Sequence, residues 1–280
     1  MGWLLPIRLG PCRAVGLTLP FVPNLSTRDD SGERARELIH MFKGKRIIAI
    51  VPAHNEQQKI VQVVARTPRE VVDCLVVVDD GSTDDTAPAA RAGGALVHSL
   101  SKRAGVGAAL RTGLQYARSE GFDVAVIMAG NNKDNPAEIS RLLGPICDGA
   151  CDLVVGSRYL AGGRYGGDMP VYCKVATRIH PWLLSLAAGK KLTETTNGFR
   201  ALRLSCLDDP RINLQQGWLD GYALEVYLLY KMITLGYRHV EVPCTKIYPP
   251  KNLGYTKMTP LVGWWDILQP VFLLGLRIKR

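Results

Sequence analysis

The chain reads as an α/β protein: a mostly parallel sheet flanked by helices, in a single main domain. Three observations predict this. Two short apolar runs, IIAIVPAHNE at 47–56 and LVVVDDGSTDDT at 75–86, each break off into acidic, amide or glycine residues, as parallel strands do where they deliver side chains at their carboxyl ends. The spacing from the end of the first apolar stretch to the start of the second, about two dozen residues, leaves room for one crossover helix. From residue 46 onward, apolar runs alternate with helical segments, the pattern of helices laid over a sheet.

In chain order, strands are predicted at 47–51, 74–79, 95–98, 123–128 and 152–156, with helices near 56–66, 84–92, 104–119 and 136–147. Ser82 or Thr83 is placed to cap the second of these helices. Residues 157–200 interrupt the rhythm with Gly162, Gly163, Gly166, Gly167 and Pro170, after which a helix follows. A strand around 200–204, a helix at 222–235 and a strand at 239–242 complete the domain. The organisation expected is a tail and linker over 1–43, the main domain over 44–257 and an appended segment over 258–280.

With 280 residues, 47% of them hydrophobic, the chain can bury one full core. No stretch of about 18 uninterrupted apolar residues predicts a spanning helix. Seven scattered cysteines without a C-x-x-C pair point to reduced thiols, and five dispersed histidines argue against a zinc site. The formal charge of +10 suits a surface that meets phosphates or anionic lipid. The N-terminal apolar stretch is cut by Pro6, Arg8, Pro11 and Arg13, so it reads as a flexible tail in place of a signal peptide. Met41, just ahead of the first strand, is a second candidate start.

The runs P-A-H-N-E at 52–56 and V-D-D-G-S-T-D-D-T at 78–86 together resemble the nucleotide-binding half of family 2 glycosyltransferases. VGSRY at 155–159, NGFRA at 197–201 and the loop YPPKNLGYTKM at 248–258 narrow the likeness to the dolichyl-phosphate mannose synthase group of polyprenyl-phosphate sugar synthases. The resemblance covers about residues 46–258 and implies a GT-A, Rossmann-like fold, a nucleoside diphosphate sugar donor (a GDP- or UDP-hexose) and a polyprenyl phosphate acceptor. It further implies an inverting hexosyl transfer by a peripheral protein on the cytoplasmic face of a membrane, and no nucleic acid partner. A hydroxyl acceptor on a glycan or small metabolite, and a protein that binds sugar nucleotide without turnover, are the alternatives.

Under that resemblance Pro52, Ala53, Asn55, Glu56, Asp79, Asp80 and Asn131 are expected to hold the nucleotide sugar. Carboxylates suit base N–H and ribose hydroxyl donors, and Asp79 and Asp80 stand where an apolar strand turns sharply at Gly81. The segment SKRAGVGAALRTGLQYA at 101–117 carries glycines that permit tight helix packing. The family's D-x-D, which holds Mg²⁺ or Mn²⁺ on the diphosphate, aligns with Ala129-Gly130-Asn131. Two readings stay open: Asn131 with Asp134 holds a metal, or the Lys133 ammonium replaces it. Arg158, just past a strand end, is the leading phosphate ligand, since a guanidinium grips phosphate bidentately. Arg178, Lys251 and Lys257 are further candidates for the acceptor phosphate. Asp220 is the candidate general base for a hydroxyl acceptor. Phe199 and Arg200 read as fold-building. In the C-terminal segment, Leu261, Trp264, Trp265, Leu268 and Phe272 share one helical face, which suits a membrane-interfacial helix.

Overall fold

Strand formation follows the apolar runs. In the computed structural model, which describes residues 42–253 and 262–279, β1 (Ile47–Ala53), β2 (Cys74–Asp79), β3 (Leu96–Ser99), β4 (Val124–Ile127) and β5 (Leu153–Ser157) fall where the sequence places them. Between them lie α1 (Gln57–Arg66), α2 (Thr86–Ala92), α3 (Val106–Ser119) and α4 (Ile139–Cys147). Later come β6 (Arg164–Gly167), α5 (Val171–Ala188), β7 (Arg200–Arg203), α6 (Ala223–Thr234), β8 (His239–Pro243), β9 (Thr245–Tyr248) and α7 (Val262–Gly275).

Seven strands form one sheet in the order β3-β2-β1-β4-β7-β5-β8. All neighbours run parallel except β7, which is antiparallel to both β4 and β5. Alternate residues of each strand serve opposite faces. Ile47, Ala49 and Val51 join α1 and α4 in one core, whereas Ile48 and Ile50 join α3 and α6 in the other. Because both faces are covered, the strands are apolar throughout instead of alternating with polar residues. β6 and β9 pair in a separate two-stranded sheet that the sequence pattern did not reveal.

The second helix begins at Thr86, two residues later than predicted, and neither Ser82 nor Thr83 caps it. Those residues instead tie β1 to β2: the Asn55 N–H donates to Ser82 Oγ and the Thr83 N–H to Asn55 Oδ1. Asp84 takes the local role, accepting from the Thr86 N–H at 3.0 Å. The glycines of 101–117 do permit close packing. A Cβ on Gly107 would lie 1.9 Å from the Leu219 carbonyl oxygen, and the Gly107 N–H donates to the Asp220 carbonyl at 2.7 Å.

α7 packs against α5 and α6, burying Val271 and Leu274 in the same core as the sheet. Trp265 and Phe272 point outward and stack with centroids 6.4 Å apart, so the helix is both docked and apolar on its outer face. No described helix is long and apolar enough to cross a membrane. His180 of α5 fastens this corner, with Nδ1 2.6 Å from Thr195 Oγ1 and Nε2 3.1 Å from the Ile267 carbonyl.

Burial pushes His180 down to about 4, and burial, with Lys190 and Arg200 adding repulsion, does the same to His239. The unfolded imidazoles take up protons near 6.5 and the folded ones only near 4, so the unfolded state binds more protons in between. Stability is therefore full above pH 6.5 and declines as pH falls toward 4. Thermal melts followed by circular dichroism are expected to show a falling Tm across that window, with a shallower dependence in His180→Asn. An equal slope in wild type and variant would show that His180 plays no part.

Candidate active site

The carboxyl ends of β1, β2, β4 and β5 surround a cavity of about 700 Å³. Its wall includes Pro52, Ala53, Glu56, Asp80, Asn131, Lys133 and Arg158, so the first and fifth strands serve one site. Parallel pairing produces this convergence, since β1 and β2 run in register until Ala53 faces Asp79.

Asp80 is 4% exposed and turned toward the loop before α3. Its Oδ1 accepts from the N–H groups of Ala104 at 2.6 Å and Gly105 at 3.1 Å, and Oδ2 from Gly105 at 3.0 Å. Gly81 follows with φ +61°, and a Cβ there would meet Arg103 N at 2.5 Å, so only glycine fits this turn. Asp79 is equally buried but is not part of the cavity wall among the described residues; its Oδ1 accepts from the Ser82 N–H. Asn55 likewise sits outside the wall, at φ +49°, and serves the β1–β2 link. Glu56 is 6% exposed, lines the cavity and pairs with Lys59 at 2.5 Å.

Arg158 is the most enclosed cation of the site, at 2% exposure. Its Nε donates to Glu194 Oε2 at 2.6 Å and Nη2 to Thr196 Oγ1 at 3.3 Å. Glu194 Oε1 accepts from the N–H groups of Thr195, Thr196 and Asn197, which fixes the carboxylate from the far side. Burial opposes both charges, but the pair prevails: Glu194 is held below and Arg158 above its ordinary value. The remaining Nη1 is buried with no hydrogen-bond partner among the described residues, while the Tyr248 phenol lies within reach of the guanidinium charge.

Lys133 also reaches the cavity, its Nζ 4.3 Å from the centre of the Tyr248 ring. Burial, then the neighbouring Lys246, pushes it down to about 7, so an arriving anion would relieve a strained cation. Lys246 is bound from both sides, donating to Asp134 Oδ1 at 2.5 Å and Asn197 Oδ1 at 2.7 Å. Asn131 lines the cavity with its Oδ1 accepting from the Lys133 N–H at 3.2 Å.

Other expected site residues lie elsewhere. Asp220 is engaged by Arg111 and is outside the cavity wall among the described residues, although Gly221 and Tyr222 beside it belong to that wall. Arg178 is exposed, 3.1 Å from the Tyr165 hydroxyl, in a separate depression with Tyr159, Trp182 and Lys190. Lys251 is exposed, its N–H bonded to Asp168. Lys257 lies outside the described residues. Phe199 and Arg200 are buried and structural, Arg200 donating to the carbonyls of Glu225 and Asn197.

Sequence reasoning missed Lys246, Glu225 and Asp266 in the wall. Glu225 lies five residues after the candidate base Asp220, and Lys246 carried no local signal at all.

Comparison with known proteins agrees with this architecture. Residues 48–208 match the Glycosyl transferase family 2 domain. The polyprenol monophosphomannose synthase of Mycolicibacterium smegmatis is 32% identical over 225 residues, covering 77% of this chain and 82% of the relative. The undecaprenyl-phosphate mannosyltransferase of Micrococcus luteus is 31% identical, covering 76% and 88%. Among solved structures, glucosyl-3-phosphoglycerate synthase of Mycobacterium tuberculosis superposes with a TM-score of 0.61 at 24% identity, covering 85% of this chain and 82% of that one. A structure of that enzyme with Mn²⁺, UDP and glucosyl-3-phosphoglycerate gives 0.58 at 23%, covering 82% and 79%. The doubly covered parallel sheet, the cavity at its strand ends and these matches establish that the chain belongs to glycosyl transferase family 2 and is a GT-A glycosyltransferase.

Proposed function

We propose that the protein moves a hexose from a nucleoside diphosphate sugar to a polyprenyl phosphate on the cytoplasmic face of a membrane. One observation carries this reading: the cavity that holds Lys133 and Arg158 is lined by two helices that also carry exposed apolar side chains. On α5, Cys173 and Thr177 line the cavity, while Val171, Val175, Ile179, Trp182 and Leu186 are 44–74% exposed at helical spacing on the opposite side. On α7, Gln269, Pro270 and Leu273 line the cavity, while Trp265 and Phe272 face out. Exposed Lys174, Arg178, Lys190 and Lys191 border the α5 stripe, as an anionic lipid surface would require. Two relatives named as polyprenol-linked mannosyl transferases support the acceptor class.

A lipid phosphate is already an anionic nucleophile, so the site must orient it and offset charge. Its oxygen attacks the anomeric carbon from the face opposite the leaving group. The bond from that carbon to the donor diphosphate breaks, and the electron pair leaves with the nucleoside diphosphate. Arg158 and Lys133 then stabilise the departing charge. No proton needs to be removed from the acceptor, which accords with Asp220 being held by Arg111 away from the cavity.

The test incubates the full chain with UDP- or GDP-hexose and either a polyprenyl phosphate or the free polyprenol. Labelled sugar is expected on the phosphate alone; transfer to the alcohol would favour a hydroxyl acceptor, and transfer to neither would remove the lipid reading. Trp182→Asp is expected to lower partitioning onto anionic vesicles by about tenfold or more, from the loss of one buried aromatic side chain. Unchanged sedimentation with vesicles would remove α5 from the membrane contact.

A further inference from the structure

The fold family suggests a divalent cation on the donor diphosphate, and the M. tuberculosis glucosyl-3-phosphoglycerate synthase has been crystallised with Mn²⁺ and UDP. The residues of this chain do not fit that ion. Where two carboxylates should stand, the loop after β4 offers Ala129 and Asn131. Asp134, the one carboxylate in that loop, is 4% exposed and already committed. Its Oδ1 is bound by the Lys246 ammonium at 2.5 Å and its Oδ2 by the Ala129 N–H at 3.3 Å. Among the described residues, no three His, Cys, Asp or Glu side chains converge as a metal site would need. A hard divalent cation takes most of its affinity from carboxylates, and an amide oxygen alone is a weak substitute.

What the loop and the strand end beside it offer instead are basic side chains, in a wall shared with the acids Glu56, Asp80, Glu225 and Asp266. Lys133 stands two residues beyond Asn131, in the wall, over the Tyr248 ring. Arg158 is also in the wall, beside the Tyr248 phenol, with a buried Nη1 that has no hydrogen-bond partner among the described residues and a guanidinium anchored through Nε by Glu194 and through Nη2 by Thr196. An orphaned buried donor is costly unless a ligand completes it. Lys246 cancels the only nearby loop carboxylate, so Asp134 neither attracts a metal nor repels an incoming phosphate.

We infer that this protein holds the diphosphate of its donor with its own cations, the Lys133 ammonium and Arg158 Nη1 standing in for the divalent ion, and Lys246 serving to neutralise Asp134. The assignment rests on the proposed nucleoside diphosphate donor. It makes Lys133 a catalytic residue, because the ammonium touches the leaving group.

Calorimetric titration of the full chain with UDP and with GDP, in EDTA and in excess Mn²⁺ or Mg²⁺, tests the inference. For the nucleotide that binds, the dissociation constant is expected to be the same with chelator and with metal. Lys133→Gln, checked for an unchanged thermal melt, should weaken binding by about 10- to 100-fold, as loss of a charged hydrogen bond does. Added Mn²⁺ should not restore it, whereas Lys133→Arg should retain most of it. Binding that appears only with the divalent ion would overturn the inference while leaving the proposed donor intact. A folded Lys133→Gln protein with wild-type affinity would overturn the role of Lys133. If neither nucleotide binds under any condition, the proposed donor fails and this assignment falls with it. The chelator comparison uses wild-type protein, so it decides between metal and fixed cations even where a variant fails to fold.

Discussion

Glu194→Gln should melt at a temperature lower than wild type by on the order of 10 °C, a larger loss than removal of any exposed ion pair would cause. Glu194 is wholly buried, and its Oε2 receives Arg158 Nε at 2.6 Å with both side chains at 1% exposure or less. The glutamine keeps the shape but removes the charge, leaving a guanidinium in the interior without its counter-ion. Breaking a buried pair from one side costs about 3–5 kcal/mol, because the surviving charge is stranded. The backbone donors of Thr195, Thr196 and Asn197 also lose their anionic acceptor, which loosens the loop that supports the cavity. The contrast is Asp208→Asn, which opens the Arg118–Asp208 pair, with side chains 43% and 64% exposed. That change should stay within about 1 kcal/mol. Urea unfolding of the two variants checks both values, and a Glu194→Gln midpoint equal to that of Asp208→Asn would mean the buried pair contributes nothing.

The second large effect is expected in catalysis. Arg158→Lys keeps a positive charge but replaces a planar fork of donors with a single ammonium. In the native site Nε is taken by Glu194 and Nη2 by Thr196, and Nη1 has no hydrogen-bond partner among the described residues. One ammonium cannot hold Glu194 and grip a phosphate in the same geometry. Removing a preorganised donor of this kind typically costs 10²- to 10³-fold in turnover, so kcat/KM for sugar transfer should fall by about that factor. Stability should change less than in Glu194→Gln, since the buried carboxylate keeps a cation beside it. Parallel transfer kinetics and thermal melts separate the two effects. Near-native transfer by Arg158→Lys would move the phosphate contact to another residue.

Much of the architecture was legible because periodicity is local. Runs such as Ile47–Val51 and Leu75–Val78 are buried on both faces, and a residue order alone can announce that. The turn at Gly81 and the cation after β5 were legible for the same reason: each sits where a strand ends. The Asp84–Thr86 contact at the start of α2 was not, because Ser82, Thr83 and Asn55 were drawn into a link between two strands that are neighbours only in space.

By itself, the sequence determined the parallel α/β sheet, the resemblance to family 2 and the loss of carboxylates at 129 and 131. Tertiary structure alone decided which charges remain available. Lys246 reaches Asp134 across 112 positions of chain and Arg111 reaches Asp220 across 109, so one acid expected at a metal and another expected to act as a base are both engaged by cations that no motif names. Only the packing of α5 and α7 against the cavity shows that one helix can line the site with one face and present an apolar stripe with the other. Hydrophobic pattern fixes which side of an element is buried. Which distant partner meets a buried charge is fixed by the fold, because a low-dielectric interior tolerates that charge only where an opposite one has been brought to it.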